Sequence, residues 1–519
     1  EVLRGILRIA EASDQQEKAK LQGLVKDIVS SDDFYDTFKS LKSFYDVHLF
    51  ESLMSNQMVE ATPRDTYLKL YQAMDKVAYY NKEREFAFGI SMYSNKIQNY
   101  EFMNKENAKG WYTSDGASYL YNDDLSHYSD DYWATVDPYK LAGITETNEA
   151  RAKGSGMTTM DHSFVGSTAL GNKYGTVAMD FQNWNKTLTA KKSWFILGDR
   201  IVFLGSDIKN STDNEAYTVV DNRKVQRESR NRSASKNDYS VVADGKEVPV
   251  SDADTKMQVK DLLLKSQNTQ MNIGYKFLEP TTVNVKKENR KGTWKDINEG
   301  QSDEEVENSF ISIVQPHDAT NNKYAYVLYP NRSAKEFEEE KNNDDIQVVE
   351  NSEKTQAVFD KTNQIYGVVK YDDSELTLED GLVLKEKGIY TIKKEGNKLD
   401  IAFLNPEDPS AGLPALNTDK YELQNSTEPT VENKIRYYSY LVKKQTEEET
   451  TQEQTQEQTQ QSSSESTTEI RNTEDSKDSN TTKEETFPAT GAKNFEVYTL
   501  LGILLLTISL IFSKKRLQK

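Results

Sequence analysis

The chain has 519 residues, a formal net charge of −19 and no cysteine. Its length allows two or three domains, each with a sizeable core. Its charge excludes a general nucleic-acid binder, which needs a basic surface, and the missing thiols exclude disulfides, thiol chemistry and Cys-based zinc sites.

The first 82 residues read as helical. Val2, Leu3, Ile6, Leu7 and Ala10 recur at helical spacing, as do Leu21, Leu24, Val25 and Ile28. Ser31 is the expected N-cap of a further helix with Phe34, Phe38 and Leu41 as its stripe. Arg64-Asp65-Thr66 is expected to open another, carrying Tyr67, Leu70, Tyr71, Met74 and Val77. His48, on a helix between Tyr45 and Leu49, reads as a satisfied structural residue.

From about residue 84 the pattern turns to β. Alternating runs at Thr187–Ile196, Ile201–Gly205, Tyr217–Asp221, Met271–Phe277 and Tyr324–Tyr329 are separated by Gly, Asn and Asp. Many strands without intervening helices predict a large antiparallel sandwich over 83–340. The polar stretch Arg223–Asp261 is expected to be irregular. A second β unit, over 341–444, holds Thr355–Phe359, Ile365–Tyr371, Gly381–Leu384, Tyr390–Lys394 and Lys398–Phe403. Past residue 444 the chain is Glu, Gln, Thr and Ser, with TQEQTQEQTQ at Thr451–Gln460. With almost nothing apolar to bury, 445–486 is expected to be a disordered stalk.

The densest group of side chains suited to holding a sugar is YEFMNKENAKGWYTSDGASYLYN, Tyr100–Asn122. Glu101 and Glu106 accept hydroxyl hydrogen bonds, and Asn104 and Asn107 both donate and accept. Trp111 and Tyr112 offer flat faces of the kind that pack on a pyranose ring, and Lys105 and Lys109 would draw in an anionic sugar. A turn, Ser114-Asp115-Gly116, leads into a predicted strand at Ala117–Tyr121. The opposing reading is a solvated hairpin with its aromatic residues in the core. Among the four histidines, His48, His127, His162 and His317, none has a partner at metal-ligand spacing. His127, in SHYSDDYW, is the one nearest the polar loops. No Ser-His-Asp order, P-loop or dinucleotide fingerprint stands out. No metal or cofactor is expected.

The motif N-Y-E-x-M-N-K-E-N-x-x-G-W-Y-T-S-D-G, followed by S-H-Y-S-D-x-Y-W and Y-K-x-x-G-x-T-E-T, resembles the polysaccharide lyases that cleave hyaluronan and chondroitin, in particular the hyaluronate lyases of Gram-positive cocci. The likeness continues through Phe164-Val165-Gly166, Met179–Phe195 and Lys295–Asn308, and covers most of the chain to about residue 405. One departure is Ala142-Gly143-Ile144, where the family often has Pro-Gly-Thr. The resemblance implies an α+β fold: the end of an α/α toroid over 1–82, a large antiparallel β super-sandwich and a small C-terminal β-sandwich. It implies β-elimination on a hexuronate polymer. A base takes the C5 proton, the uronate carboxylate is neutralised and the leaving oxygen is protonated, by an Asn, a His, a Tyr and supporting Arg ahead of residue 1. It carries Glu101 and Asn104 over as E-x-x-N on the sandwich side of the cleft, the Glu supporting the catalytic network and the Asn facing substrate. Glu106, Asn107 and Trp111 follow in the same motif, as sugar contacts or as supports of the loop. Glu101 and Asn104 are three apart, so a joint role requires a turn.

At the other end, Phe487-Pro488-Ala489-Thr490-Gly491, the apolar run Val497–Phe512 and Lys514-Lys515-Arg516 resemble the sorting signal of Gram-positive surface proteins. Phe487 stands where that motif usually has Leu. The implied event is sortase cleavage between Thr490 and Gly491, with attachment to peptidoglycan. The apolar run is near the lower length for a membrane segment, and the basic end fits the positive-inside rule. A protein so sorted is expected to carry a secretory signal; the chain starts instead on Glu1, so a fragment is expected. The combined reading is the C-terminal part of a secreted, wall-anchored, monomeric hyaluronate lyase, inactive by itself. The rival is a non-catalytic, glycan-binding adhesin.

Overall fold

The computed structural model describes residues 2–31, 37–225, 238–379, 381–413, 416, 420–423 and 429–443. The expected stalk, the apolar run Val497–Phe512 and the pair Thr490 and Gly491 lie outside them, and no helix among the described residues is long and apolar enough to cross a membrane.

Three helices begin the chain: α1 (Val2–Ala12), α2 (Gln15–Ser30) and α3 (Phe44–Ser55). Ile6, Leu7 and Ala10 of α1 pack on Leu21 and Val25 of α2 and on Phe50 and Leu53 of α3. Asp14 and Ser43 are the N-caps, accepting from the amides of Glu17 at 3.0 Å and Asp46 at 3.1 Å. Asp46 is buried; the Ser43 hydroxyl, then Arg4 and Arg8 at 3.0 and 2.8 Å, hold its carboxyl down to about 2. Ser31 therefore does not start a helix. It ends α2, its amide returning to Asp27 O, while Phe38 lies in a short 3-10 turn and Phe34 is outside the described residues. His48 is exposed on α3 rather than built into a core.

The helix expected after Arg64 is a β-hairpin. Strands β1 (Tyr67–Tyr71) and β2 (Lys76–Asn81) pair antiparallel, followed in the same sheet by β3 (Phe86–Ser91) and β4 (Ala117–Tyr121). The run YLKLYQAMDKV satisfies both periods. Alternation wins because Leu68 and Leu70 meet the core while Tyr67 pairs with Tyr80, ring centroids 5.8 Å apart. The turn contains neither Gly nor Pro, and Asp75 takes the left-handed conformation instead, with φ 51°.

The large sheet follows: β5 (Thr145–Thr147), β6 (Val165–Leu170), β7 (Tyr174–Gln182), β8 (Leu188–Leu197), β9 (Ile201–Asn210), β10 (Ala216–Val225), β11 (Ser240–Ala243), β12 (Lys246–Val248), β13 (Thr255–Lys265), β14 (Ile273–Gly292), β15 (Val306–His317) and β16 (Tyr324–Pro330). Its order is β12-β11-β13-β14-β16-β9-β8-β7-β6, and β15 pairs with both β14 and β10, which in turn holds β5. The stretch expected to be irregular thus contributes four strands or strand ends, the end of β10, β11, β12 and the start of β13, on either side of residues outside the description. The C-terminal sheet runs Ile346–Asn351, Thr355–Asp360, Ile365–Lys370, Gly388–Glu395, Lys398–Leu404, Ile435–Val442 and Tyr421–Leu423.

The large sheet is the middle of three layers, which explains its continuous apolar runs. In β8, Trp194 and Ile196 face the four-stranded sheet, while Phe195 and Leu197 face the C-terminal sheet; β9 and β16 alternate in the same way. A strand buried on both faces loses the polar beat of a half-exposed one. Each fully buried side chain of this run contributes roughly 1.5–3 kcal/mol relative to exposure. At the second interface a Cβ on Gly367 would lie 2.2 Å from the Phe195 ring, so glycine allows the two sheets their closeness.

Candidate functional site

The loop between β3 and β4 sits on the rim of this stack. Its tip is a tight turn: the Glu106 amide donates to Met103 O at 2.9 Å, and Asn104 and Lys105, the two central residues, have φ of 54° and 62°. Asn tolerates this region well, which is why a short turn forms here without glycine. The turn that a joint role of Glu101 and Asn104 requires is therefore present. Both residues are exposed, Glu106 is half-buried, and none of the three side chains has a hydrogen-bond partner among the described residues.

Everything behind the tip is tied down. The Asn107 amide group donates to Glu101 O at 2.8 Å, and its backbone N–H donates to Asn298 Oδ1 at 2.7 Å. Asn107 itself has φ 64°. Its amide is committed to holding the loop. The Ala108 amide reaches Ile297 O, and the Glu299 amide reaches Lys105 O. The family-like segment after Lys295 is thus a brace. Lys105 pairs with Glu299 at 2.5 Å, and Lys109 and Lys153 pair with Asp296 at 3.7 and 2.7 Å. These pairs neutralise the two lysines expected to attract an anionic sugar.

Trp111 is only 3% exposed and Tyr112 is fully buried. Arg151 lies over the Trp111 ring at 5.5 Å, and Tyr139 lies 5.3 Å from it. The expected sugar platform is corrected on this point: the faces of Trp111 are covered, and the ring supports the loop from below. A second segment backs it. Tyr100 Oη and Arg151 Nη2 both donate to Ser155 O, at 2.6 and 2.7 Å, and the Asn99 amide bonds Gly156 O at 3.0 Å.

Under that layer lie groups the sequence reading passed over. Asp115, Glu146 and Lys192 are fully buried. Lys192 Nζ donates to Asp115 O at 2.9 Å and to Gly143 O at 2.8 Å. Gly116, with φ +75°, leaves room for this: a Cβ there would lie 2.7 Å from Nζ. The turn at Ala142-Gly143-Ile144 needs no proline, since Gly143 is held by Lys192 and by its own N–H on Val219 O at 2.7 Å.

The histidines belong to the framework. His127 is buried, accepts from the Lys224 amide at 3.2 Å, and is pushed well down by burial. His317 bonds Thr218 at 2.7 Å and Asn321 O at 2.9 Å and is lowered to about 4 by burial. His162 meets Asp180 at 3.1 Å, which raises it. Among the described residues no three His, Cys, Asp or Glu gather in a way that would hold a metal. The rim loop can bind and orient hydroxyl groups.

The class these features define is a layered β-sandwich protein that presents a braced, hydrogen-bonding loop on an open rim. Comparisons with known proteins sharpen it. Residues 66–341 match the super-sandwich domain of polysaccharide lyase family 8, and residues 347–412 match that family's C-terminal beta-sandwich domain. The chain belongs to polysaccharide lyase family 8. Its fold is α+β, with helices at the end of an α/α toroid followed by the large and the small sandwich. Residues 479–516 match the LPXTG cell wall anchor motif, which marks a secreted chain anchored covalently to a Gram-positive wall. A hyaluronate lyase of Staphylococcus aureus is 37% identical over 416 residues, 79% of this chain and 49% of that protein. A xanthan lyase of a Bacillus species is 29% identical, over 83% of this chain and 46% of its own length. The chain thus spans about half the length of these curated relatives. Among solved structures, Paenibacillus xanthan lyase aligns with TM-score 0.74 at 27% identity, over 85% of this chain and 44% of that one. Streptomyces coelicolor chondroitin AC lyase aligns with TM-score 0.69 at 19% identity, over 85% of this chain and 58% of its own, a likeness of fold.

Proposed function

We propose that this chain forms the sandwich side of the cleft in a wall-anchored lyase that cleaves hyaluronan, or a related glycosaminoglycan, by β-elimination. The observation that carries this reading is the contrast within one family motif. Glu101 and Asn104, with Glu106 beside them, project unbonded from a turn braced by Lys105, Asn107 and the backbone behind it. A pre-set hydrogen-bonding tip costs little reorganisation when a polymer docks, and it is worth most where charge develops. Asn104 is assigned to the polymer, Glu101 to the support of the catalytic groups and Glu106 to a flanking contact. Asn107 and Trp111 hold the loop.

The groups that take the C5 proton and neutralise the uronate carboxylate come from outside these residues. Two observations favour this. The relatives are about twice as long, and the buried or framework-bonded histidines described above are not free to serve as bases. Sortase, cutting between Thr490 and Gly491, links the protein to peptidoglycan, and the working unit is a monomer. The unsaturated uronate product absorbs in the ultraviolet. The intact enzyme should give a rise on hyaluronan, and residues 1–519 expressed alone should give none. A flat trace from the intact enzyme, or an equal rise from the shorter chain, overturns the proposal. Thr490→Ala should move the protein from the wall to the membrane fraction or the medium.

A further inference from the structure

Beneath the rim loop lies a charge cluster that a sugar-holding tip by itself does not require. Four segments supply it: Asp115 from the turn before β4, Glu146 from β5, Arg151 from the loop after β5, and Lys192 from β8. Arg151 is 8% exposed and the other three are buried outright. The Arg151 guanidinium lies 4.1 Å from the Trp184 ring centroid, 5.1 Å from that of Tyr112 and 5.5 Å from that of Trp111. Its Nη2 donates to Ser155 O, while Nε and Nη1 are buried without a hydrogen-bond partner. A Cβ on Gly156 would lie 2.3 Å from Nη2, so the segment folds tightly over the guanidinium.

The two acids meet side chain to side chain. Both oxygens of Asp115, and Oε1 of Glu146, are buried and find no donor among the surrounding groups. Two adjoining buried carboxylates cannot both stay ionised at low cost. A single proton held between them supplies the missing hydrogen and removes one charge.

We propose that Asp115 and Glu146 share one proton, and that the single negative charge they keep makes Arg151 the positioning residue of the substrate wall, setting the loop through Trp111, Tyr112 and Ser155. This rests on reading the Glu101–Asn104 loop as the polymer-facing wall. Loss of the shared proton adds a second negative charge and draws the guanidinium off Trp184 towards the acids. The loop then loses its underpinning.

The surroundings leave few other groups to titrate. Tyr93, Tyr100, Tyr112, Tyr119 and Tyr217 face the cluster from the loop after β3, from β4 and from β10, and burial pushes all five upward, so they stay neutral. His317 of β15 is lowered to about 4, again by burial. Burial, then Asp115, raises Glu146 well above the ordinary carboxyl range, and burial raises Asp115 to about 6. Burial lowers Lys192 to about 7. The signs oppose each other. The acids' raised values give stability that is full below their unfolded range and is lost as pH rises through the folded values. The lowered Lys192 gives stability that is full above 10.5 and is lost as pH falls through about 7. Between pH 4.5, the ordinary Glu value, and 7 the acids dominate.

Glu146→Gln keeps the shape and a hydrogen while removing the titration. In the 519-residue chain, its melting temperature should gain on wild type as pH rises from 4.5 to 7. Wild type should show a step in tryptophan emission as pH rises through the raised value of Glu146, and the variant should not. In the intact enzyme, Arg151→Lys keeps the charge without the flat stack, and should raise KM roughly fivefold with kcat changed less than about threefold. If Arg151→Lys prevents folding, Glu146→Gln decides alone. A Glu146→Gln chain that melts below wild type at pH 7, together with flat wild-type emission, overturns the shared proton. A normal pH response with unchanged KM in Arg151→Lys overturns only the link to the substrate wall. Failure of the wall reading itself shows separately, as an intact enzyme without turnover.

Discussion

At the tip of the rim loop, Glu101 and Asn104 are exposed and make no side-chain hydrogen bond among the described residues. A few residues further along, Asp115 is buried against Glu146, with Lys192 and Arg151 beside them. Both regions are polar and both lie in one stretch of sequence, but their polarity does opposite work. The tip leaves its groups unspent, so a ligand can claim them without breaking anything. The foundation buries its acids and its cations side by side, so the opposite charges offset one another away from solvent. Substitutions at the tip should therefore change activity and spare the fold, and those of Lys192 and the buried acids should chiefly change the fold, with Arg151, which joins the two, shifting KM.

The largest effect on stability is expected at Lys192. Lys192→Met strands the carbonyls of Asp115 and Gly143 and removes a cation from the buried acids, which should cost about 3–5 kcal/mol in a denaturant titration. A cost under 1 kcal/mol would mean the foundation is not held by charge. Next comes the interface between the large and C-terminal sheets, an apolar counterpart of the same close fit. Gly367→Ala pushes a methyl group into the Phe195 ring and should cost roughly 1–3 kcal/mol, read from the same titration. Lys105→Ala at the tip breaks an ion pair with Glu299 in which both side chains are largely exposed. It should cost no more than about 1 kcal/mol, and less in high salt. A larger loss there would erase the distinction between tip and foundation.

The sheets were largely legible in the sequence because alternation is a local signal: Ile201–Gly205 and Tyr324–Tyr329 read as strands and are strands. The hairpin at Tyr67–Asn81 reads as a helix because its apolar residues satisfy both periods, and only Tyr80 and the core decide between them. In the site, the residue types and the need for a turn could be read from Glu101 to Glu106. The fate of Trp111 could not, since Arg151 and Tyr139, which cover it, come from distant segments. Asp115 looked like an ordinary member of a Ser-Asp-Gly turn. Its partner Glu146 lies on another strand, and no local pattern announces a buried carboxyl pair. The one available signal was Lys192, a charge between Lys191 and Ser193 just ahead of the apolar end of β8.

The account is tested most directly by Asn104→Ala in the intact enzyme, with turnover on hyaluronan and melting temperature measured on the same preparation. If Asn104 donates to the polymer as charge develops, the rate should fall about 30- to 1000-fold, corresponding to roughly 2–4 kcal/mol. The melting temperature should fall by no more than a few degrees, from placing alanine at a φ of 54°, because no hydrogen bond of the fold is lost. An unchanged rate with a lowered melting temperature would make the tip part of the scaffold, and would contradict the division between tip and foundation.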